Sequence, residues 1–176
     1  MPATRPAFLR RLLRARSDPR EAMRPLWHRV VEIARQPEWY AACGVADTVP
    51  GRFDAITTIL SLVVLRMEGE PALREPSAHL IELFVEDMDG QLREFGINDV
   101  VVGKHMGRLM STLGGRMGAY REGLASEGPE RLEEAVRRNF NLTDESLAAP
   151  LAERLRALVA TLRETDDADL LAGRIG

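Results

Sequence analysis

Cysteine is nearly absent from this chain of 176 residues, because Cys43 is the only one. A single cysteine cannot form an intramolecular disulfide, so we expect a reducing compartment and no disulfide scaffold. Long apolar runs are also missing: the longest, residues 55–65, is interrupted by threonine and serine, whereas a membrane-spanning helix needs about 20 mostly apolar residues. We therefore expect no transmembrane helix. No signal-peptide pattern opens the chain, so nothing indicates secretion.

The charges that are present are distributed unevenly, although the net charge is only -3. Residues 1–35 carry nine arginines and three acids, whereas residues 36–100 carry twelve acids and four arginines. A basic head on an acidic body predicts an anionic partner for the head, either lipid headgroups or RNA phosphates. Lys104 is the only lysine. This preference for arginine suits phosphate and carboxylate contacts, but a GC-rich genome explains it as well.

Apolar residues recur at helical spacing along nearly the whole chain, which predicts an all-α fold. With 45% hydrophobic and 29% charged residues, the length suits a single globular domain of about six to seven helices with a basic N-terminal helix. We expect residues 1–24 to form a basic amphipathic segment and residues 25–176 to form the helical domain. The central helix, apolar nearly all round, should run from about Arg52 to Met67. The other predicted helices cover about 8–16, 25–36, 77–95, 102–125, 130–140 and 144–162.

The stretch DTVPGRFD, residues 47–54, places an arginine at the positive end of the central helix, where an acid is favoured. Val49 precedes a proline and should lie outside the helix, so Pro50 and Gly51 are predicted to form a turn, with Gly51 or Thr48 as the cap. Arg52 is therefore expected to have an acidic partner, either Asp47 or a residue from elsewhere. A structural ion pair is the simpler interpretation, and contact with a binding partner is the alternative.

The helix predicted over residues 102–125 is unusually rich in glycine, and each interior glycine costs about 1 kcal/mol relative to alanine. Two pairs of glycines are spaced four apart, which places each pair on one face, and methionines run beside them. One interpretation is tight packing inside the core of this domain. The other is a groove for an apolar helix of another protein. The residues concerned are Gly103, Gly107, Gly114, Gly115, Gly118, Met106, Met110 and Met117.

No group of residues in the sequence indicates catalysis, a metal site or a cofactor. The three histidines are scattered and form no metal-binding pair. DMDGQLRE (residues 87–94) resembles a calcium loop only faintly, and DDAD (residues 166–169) is most simply a solvated charge cluster in a polar tail. Cys43 has no nearby histidine in the sequence and is interpreted as a small buried hydrophobic residue.

Three unusual stretches are similar to motifs of a known family. GVADTVPGRFDAI (44–56), DMDGQLREFGINDVVVGK (87–104) and GRMGAY (115–120) resemble the ubiquinol–cytochrome c chaperone family, and the similarity extends over about residues 27–140. Pro50 departs from it, since an acid or another polar residue is expected there. The resemblance implies a non-enzymatic assembly factor for respiratory complex III, without catalytic residues.

The same resemblance implies partners and a location. Mitochondrial relatives bind newly made cytochrome b, associate with the ribosome near its exit tunnel and work with a small partner protein. The corresponding expectation here is nascent or unassembled cytochrome b as the client, with a ribosome contact and a small partner protein as further expectations. The location implied is the cytoplasmic side of a bacterial inner membrane, with peripheral contact, or the matrix face in a eukaryote. Arg10, Arg11, Arg14 and Arg16 would contact the membrane or the ribosome, unless the first helix simply docks on the core.

The candidate client-binding residues combine the motif charges with the methionines. They are Asp47, Arg52, Asp54, Arg93, Asp99, Met106, Met110, Arg116, Met117 and Tyr120. The charged members have an alternative interpretation as a buried polar network that joins helices. Two other functions compete with the chaperone: an all-α enzyme acting on an isoprenoid-like substrate, and an adaptor that binds RNA or the ribosome through its basic head.

Overall fold

A computed structural model of the chain describes the backbone of residues 18–94 and 99–176. It describes the side chains of the same residues except those of 92–94 and 99–105. The described residues form one helical domain without a β-sheet, which confirms the predicted fold class. The predicted helix over residues 8–16 and the predicted end of the helix over residues 77–95 lie outside the described residues. The α-helices are α1 (Arg24–Ala34), α2 (Pro37–Ala41), α3 (Val49–Glu68), α4 (Arg74–Glu94), α5 (Asp99–Ala125), α6 (Glu130–Asn139), α7 (Ala148–Glu164) and α8 (Asp167–Leu171). Short 3-10 helices cover Pro19–Met23, Pro71–Leu73 and Glu145–Leu147.

Helix α3 lies at the centre of the domain, as its sequence predicts. Helices α1, α4, α5 and α7 pack around it, and most of its side chains are buried. Its hydroxyl side chains tolerate burial because they bond to the helix backbone: Thr57 Oγ1 donates to the Phe53 carbonyl at 2.8 Å, and Ser61 Oγ donates to the Thr57 carbonyl at 2.6 Å. The polar interruptions in the long apolar run are therefore compatible with a central position.

The predicted starts of three helices were wrong. Helix α3 begins at Val49, not at Arg52, and Pro50 lies in its first turn, not in a preceding turn. Thr48 is the N-cap: it is extended (φ -128°, ψ 166°), and its Oγ1 accepts a hydrogen bond from the Gly51 amide at 3.2 Å. Proline is accepted at this position because the amide it lacks has no partner within the helix. Helix α4 likewise begins at Arg74, before Pro76, and α5 begins at Asp99 instead of residue 102.

The C-terminal residues pack on the domain, which corrects the expectation of a polar tail, although the carboxylates of DDAD lie at the surface, with the side chains of Asp167 and Asp169 43% and 44% exposed. Asp166 caps the short helix α8 by accepting from the Asp169 amide at 2.8 Å, and Asp167 pairs with Arg66 of α3 at 2.9 Å. Leu170 and Ile175 are buried. The tail therefore packs against the helical core, and its acids are engaged in capping and ion pairs.

Two loops meet beside the N-terminus of α3. The Ala46 amide donates to the Asn141 carbonyl and the Thr143 amide donates to the Gly44 carbonyl, both at 2.8 Å. Gly44 has a φ of +70°, which favours glycine. Gly51 is required for a different reason, since a Cβ there would lie 1.9 Å from the carbonyl oxygen of Ala46. This junction fixes where α3 begins relative to the segment that follows α6.

Replacing Gly51 with alanine should lower the free energy of unfolding by about 1–3 kcal/mol, the usual cost of overfilling a packed site. The clash is with backbone, so no side-chain rotation relieves it. Urea denaturation measures the loss. Gly69→Ala is the matched control, because its Cβ would approach only the Arg66 carbonyl oxygen, at 3.9 Å. Equal stability of the two variants would contradict the close approach at Gly51.

Candidate functional site

The sequence motifs meet in a buried ion pair between α3 and α5. Arg116 Nη2 lies 2.5 Å from Asp54 Oδ1, and the two residues are 7% and 4% exposed. Arg116 Nη1 also contacts Thr57 Oγ1 and donates to the Asp54 carbonyl at 3.3 Å. The second oxygen of the Asp54 carboxylate accepts from Asn141, from the backbone amide at 3.0 Å and from Nδ2 at 2.6 Å. The pair therefore connects α3, α5 and the segment after α6.

Tyr120 extends this network one turn further along α5. Its hydroxyl lies 2.9 Å from Thr58 Oγ1, and its side chain is fully buried. Burial raises the pKa of Tyr120 to about 12, because the phenolate would be desolvated there. The phenol is consequently neutral at physiological pH. The guanidinium carbon of Arg116 lies 5.7 Å from the centroid of the Phe53 ring, which adds a cation–π contact.

Asp54, Arg116 and Tyr120 therefore correspond to the buried-network interpretation of the motif charges. Their side chains are enclosed by the protein, so they position helices and do not form a contact surface. Asn141, Thr57 and Thr58 complete the network and were not identified from the sequence. Nothing local marks Asn141 as a partner of Asp54, since 87 residues separate them.

Arg52 pairs with Asp47, which confirms one of the two partners considered. Arg52 Nε lies 2.7 Å from Asp47 Oδ1, and both side chains are more than half exposed. The hydrogen bond from Arg52 holds the pKa of Asp47 below its usual range. This pair holds the entry to α3 and, unlike the buried pair, also presents its charges to solvent.

The outward face of α5 is open at its described glycines, which excludes, for these, the first of the two interpretations, tight packing inside the core. A Cβ built at Gly107, Gly114 or Gly118 would meet no atom within 4 Å, and the same holds at Gly115. The buried face of the helix carries Leu109, Leu113, Arg116 and Tyr120 instead. Among the glycines of α5 whose surroundings the structure describes, Gly123 at the C-terminal end is the one that approaches another helix closely, at Leu132.

Methionines border these glycines. Gly107, Met110, Gly114 and Gly118 follow one another at helical spacings of three or four, so they form a row along α5, here called the glycine row. Met110 is 42% exposed. Met106 and Met117 lie at the edge of the row, partly buried against the core. The row ends at Arg121, which pairs with Glu68 of α3 at 2.7 Å.

The remaining site residues predicted from the sequence are not described by the structure. The side chains of Arg93 and Asp99, and the arginines of residues 10–16, are outside the described residues.

Among residues 18–94 and 99–176, no cluster of His, Cys, Asp and Glu is arranged to hold a metal ion. No helix in these ranges has the length and apolar character needed to cross a membrane. Cys43 is buried, as predicted, and burial raises the pKa of its thiol.

Comparisons with known proteins agree with the motif resemblance. A family model described as ubiquinol–cytochrome C chaperone matches residues 41–175. Among solved structures, the chain is similar to the crystal structure of the Cbp3 homolog from Brucella abortus, with 32% identity and a TM-score of 0.79. The match covers 97% of this chain and 94% of the other. Among curated protein sequences, none matches the chain.

Replacing Arg116 with methionine should destabilise the protein by about 3–5 kcal/mol, because the Asp54 carboxylate would remain buried without its cation. Removing both charges, with Asp54→Asn added, should cost less than the sum of the two single changes. Chemical denaturation of the four proteins measures this coupling. Arg52→Met is the control, since it breaks an exposed pair and should leave stability little changed. Additive effects at residues 54 and 116 would contradict the network.

Proposed function

Since the chain belongs to the ubiquinol–cytochrome c chaperone family, we propose that it is a non-enzymatic assembly chaperone for the ubiquinol–cytochrome c reductase complex. In this proposal it binds newly made cytochrome b through the glycine row of α5 and the methionines beside it. The observation that carries the proposal is the openness of that row, because no atom lies within 4 Å of a Cβ at its three glycines.

The energetics of α5 support an external role for the row. Three glycines in a helix interior cost about 3 kcal/mol in total relative to alanine. Gly51 and Gly123 offset such a cost by allowing another segment to approach. At Gly107, Gly114 and Gly118 no part of the described protein occupies the space that a side chain would take, so this domain gains no packing from them.

The chemistry of the row suits an apolar helix. Glycines allow a second helix to approach the backbone closely, as they do between helices in membranes. Methionine side chains are flexible and polarizable, so they adapt to apolar partners of varied shape. An unassembled membrane subunit presents apolar helices of this kind. The Arg121–Glu68 pair at one end of the row supplies a charged border.

Two further parts of the proposal concern the rest of the chain. The basic segment at residues 1–24 would hold the chaperone at an anionic membrane surface or at the ribosome, and a small partner protein would join it. The competing enzyme on an isoprenoid-like substrate is disfavoured, because it would need acid pairs facing a deep pocket, whereas the acids of DDAD lie at the surface: Asp166 caps α8, while Asp167 and Asp169 pair with Arg66 and Arg174.

Cells that lack the chain should contain less assembled quinol–cytochrome c reductase, because its membrane subunit would be left unprotected before assembly. Quinol-dependent reduction of cytochrome c by isolated membranes, together with the b-type haem spectrum, measures this. The activity of another respiratory complex in the same membranes is the control. Normal reductase activity in these cells would contradict the proposal.

Gly114→Leu should weaken co-purification of cytochrome b with the chain, whereas Gly115→Leu should leave it unchanged. The two glycines are adjacent, both are exposed and both have open space for a side chain, but they differ by about 100° around the helix, and only Gly114 lies in the row. Each substitution should make the helix more stable by about 0.8–1 kcal/mol, since leucine is the better helix former. Thermal melts therefore separate a binding defect from a folding defect. Equal binding by the two variants would exclude the row as the client surface.

A further inference from the structure

Solvent reaches the methionines of this chain to very different degrees. Three of them are buried in the core, with 8% or less of each residue exposed: Met23, Met67 and Met88. Met106 and Met117 are partly buried against the core. Met110 is exposed, and among the large hydrophobic side chains that the structure describes it shares this property only with Val49. One thioether of the fold is therefore presented to solvent, and it lies in the glycine row.

The surroundings of Met110 leave its side chain uncovered. A helical side chain leans towards the turn before it, and the residue three positions earlier in that turn is Gly107. The residue four positions later is Gly114. A Cβ at either glycine would meet no atom within 4 Å, so no other described part of the protein approaches the helix on these two sides of Met110. Small reactants in solution therefore have access to its sulfur.

An accessible thioether reacts with hydrogen peroxide. The sulfur donates an electron pair to one peroxide oxygen, so that an S–O bond forms while the O–O bond breaks. The hydroxide that leaves takes the proton of the transferred OH group and becomes water. Sulfur is thereby oxidised and the peroxide is reduced. The product, methionine sulfoxide, is polar where the thioether was apolar, and methionine sulfoxide reductases reverse the change.

We propose that Met110 is a site of oxidation by hydrogen peroxide, and that its sulfoxide weakens the binding of an apolar helix to the glycine row. The second part rests on the proposed function of the row. A helix seated there would bury the sulfoxide oxygen beside Gly107 and Gly114, which have no side chain to donate a hydrogen bond. A buried polar group without a partner is unfavourable, so oxidation should weaken client binding about tenfold. Reduction of the sulfoxide restores it.

Peptide mass spectrometry of the chain after brief treatment with hydrogen peroxide tests the site. Met110 should gain one oxygen atom about tenfold faster than the three buried methionines, which the peroxide reaches only when the fold opens. Thermal melts of the treated and untreated chain should coincide, because the modified side chain lies at the surface. Equal rates of oxidation at Met110 and at the buried methionines would overturn the proposal.

Capture of cytochrome b made by cell-free synthesis tests the consequence. Peroxide treatment of the wild type should weaken capture about tenfold. Met110→Leu has no sulfur at this position, so its capture should be the same before and after treatment. Met117→Leu is the matched control on the same helix, and it should show the same loss on treatment as the wild type. Met110→Gln carries a permanent polar group and should capture cytochrome b weakly without any peroxide.

The outcomes of the capture experiment separate this inference from the proposed function. If the untreated wild type captures no cytochrome b, the proposed function of the row fails and the inference fails with it. If the wild type captures cytochrome b equally well before and after treatment, only the inference is overturned. The same conclusion follows if Met110→Leu remains sensitive to peroxide, because another residue would then be responsible for the loss.

Discussion

The ion pair between Asp54 and Arg116 determines how α5 lies against the rest of the protein. Two charges removed from water are tolerated only when the geometry is good and the remaining hydrogen-bonding groups are satisfied. Here Asn141 donates to the second carboxylate oxygen, and Arg116 Nη1 donates to Thr57 and to the Asp54 carbonyl, which leaves Arg116 Nε as the one nitrogen of this pair that has no hydrogen-bond partner among the described residues. A shift of α5 by one residue would turn Arg116 away by about 100° and leave the Asp54 carboxylate buried without its cation. The pair therefore fixes both the rotation and the register of the helix.

This constraint also decides which side of α5 faces outward. With Arg116 and Tyr120 turned towards α3, the residues at Gly107, Gly114 and Gly118 lie on the other part of the circumference. The network and the glycine row are thus two consequences of one helix orientation. Motif residues that are buried can in this way control the presentation of a surface that they do not themselves form.

Hydrophobic periodicity was sufficient for the fold class and for the central position of α3, because burial of an apolar stripe follows directly from the spacing. It was insufficient at helix starts. The rule that disfavours helix before proline was given too much weight at Val49, and Pro76 was likewise expected to precede its helix, whereas each proline lies in a first turn and replaces an amide that has no helical partner. The packing of the C-terminal tail was missed, although its acids do lie at the surface, because capping by Asp166 and the ion pair between Asp167 and Arg66 hold the tail on the core.

For the candidate site, prediction from the sequence was limited in a different way. The motifs identified Asp54, Arg116 and Tyr120 as unusual, and the helix dipole predicted an acidic partner for Arg52, for which Asp47 was one of two alternatives. Whether Asp54 and Arg116 meet each other depends on the packing of α3 against α5, and the third partner, Asn141, arrives through a loop contact that no local pattern specifies. Spacing showed that two pairs of glycines share faces of α5, but not whether those faces point inward.

Whether a glycine faces inward or outward decides what its missing side chain does for the protein. At Gly51 and Gly123 the missing side chain makes room for backbone of the same protein, so the loss of helix propensity is offset by packing within the fold. Along the glycine row the same loss has no such compensation. Because the buried pair and the leucines on the inner face already hold α5 in place, the helix can carry this cost without losing its position. A surface with little side-chain bulk then stands on a firmly oriented helix, which is the arrangement that close approach of a second helix requires.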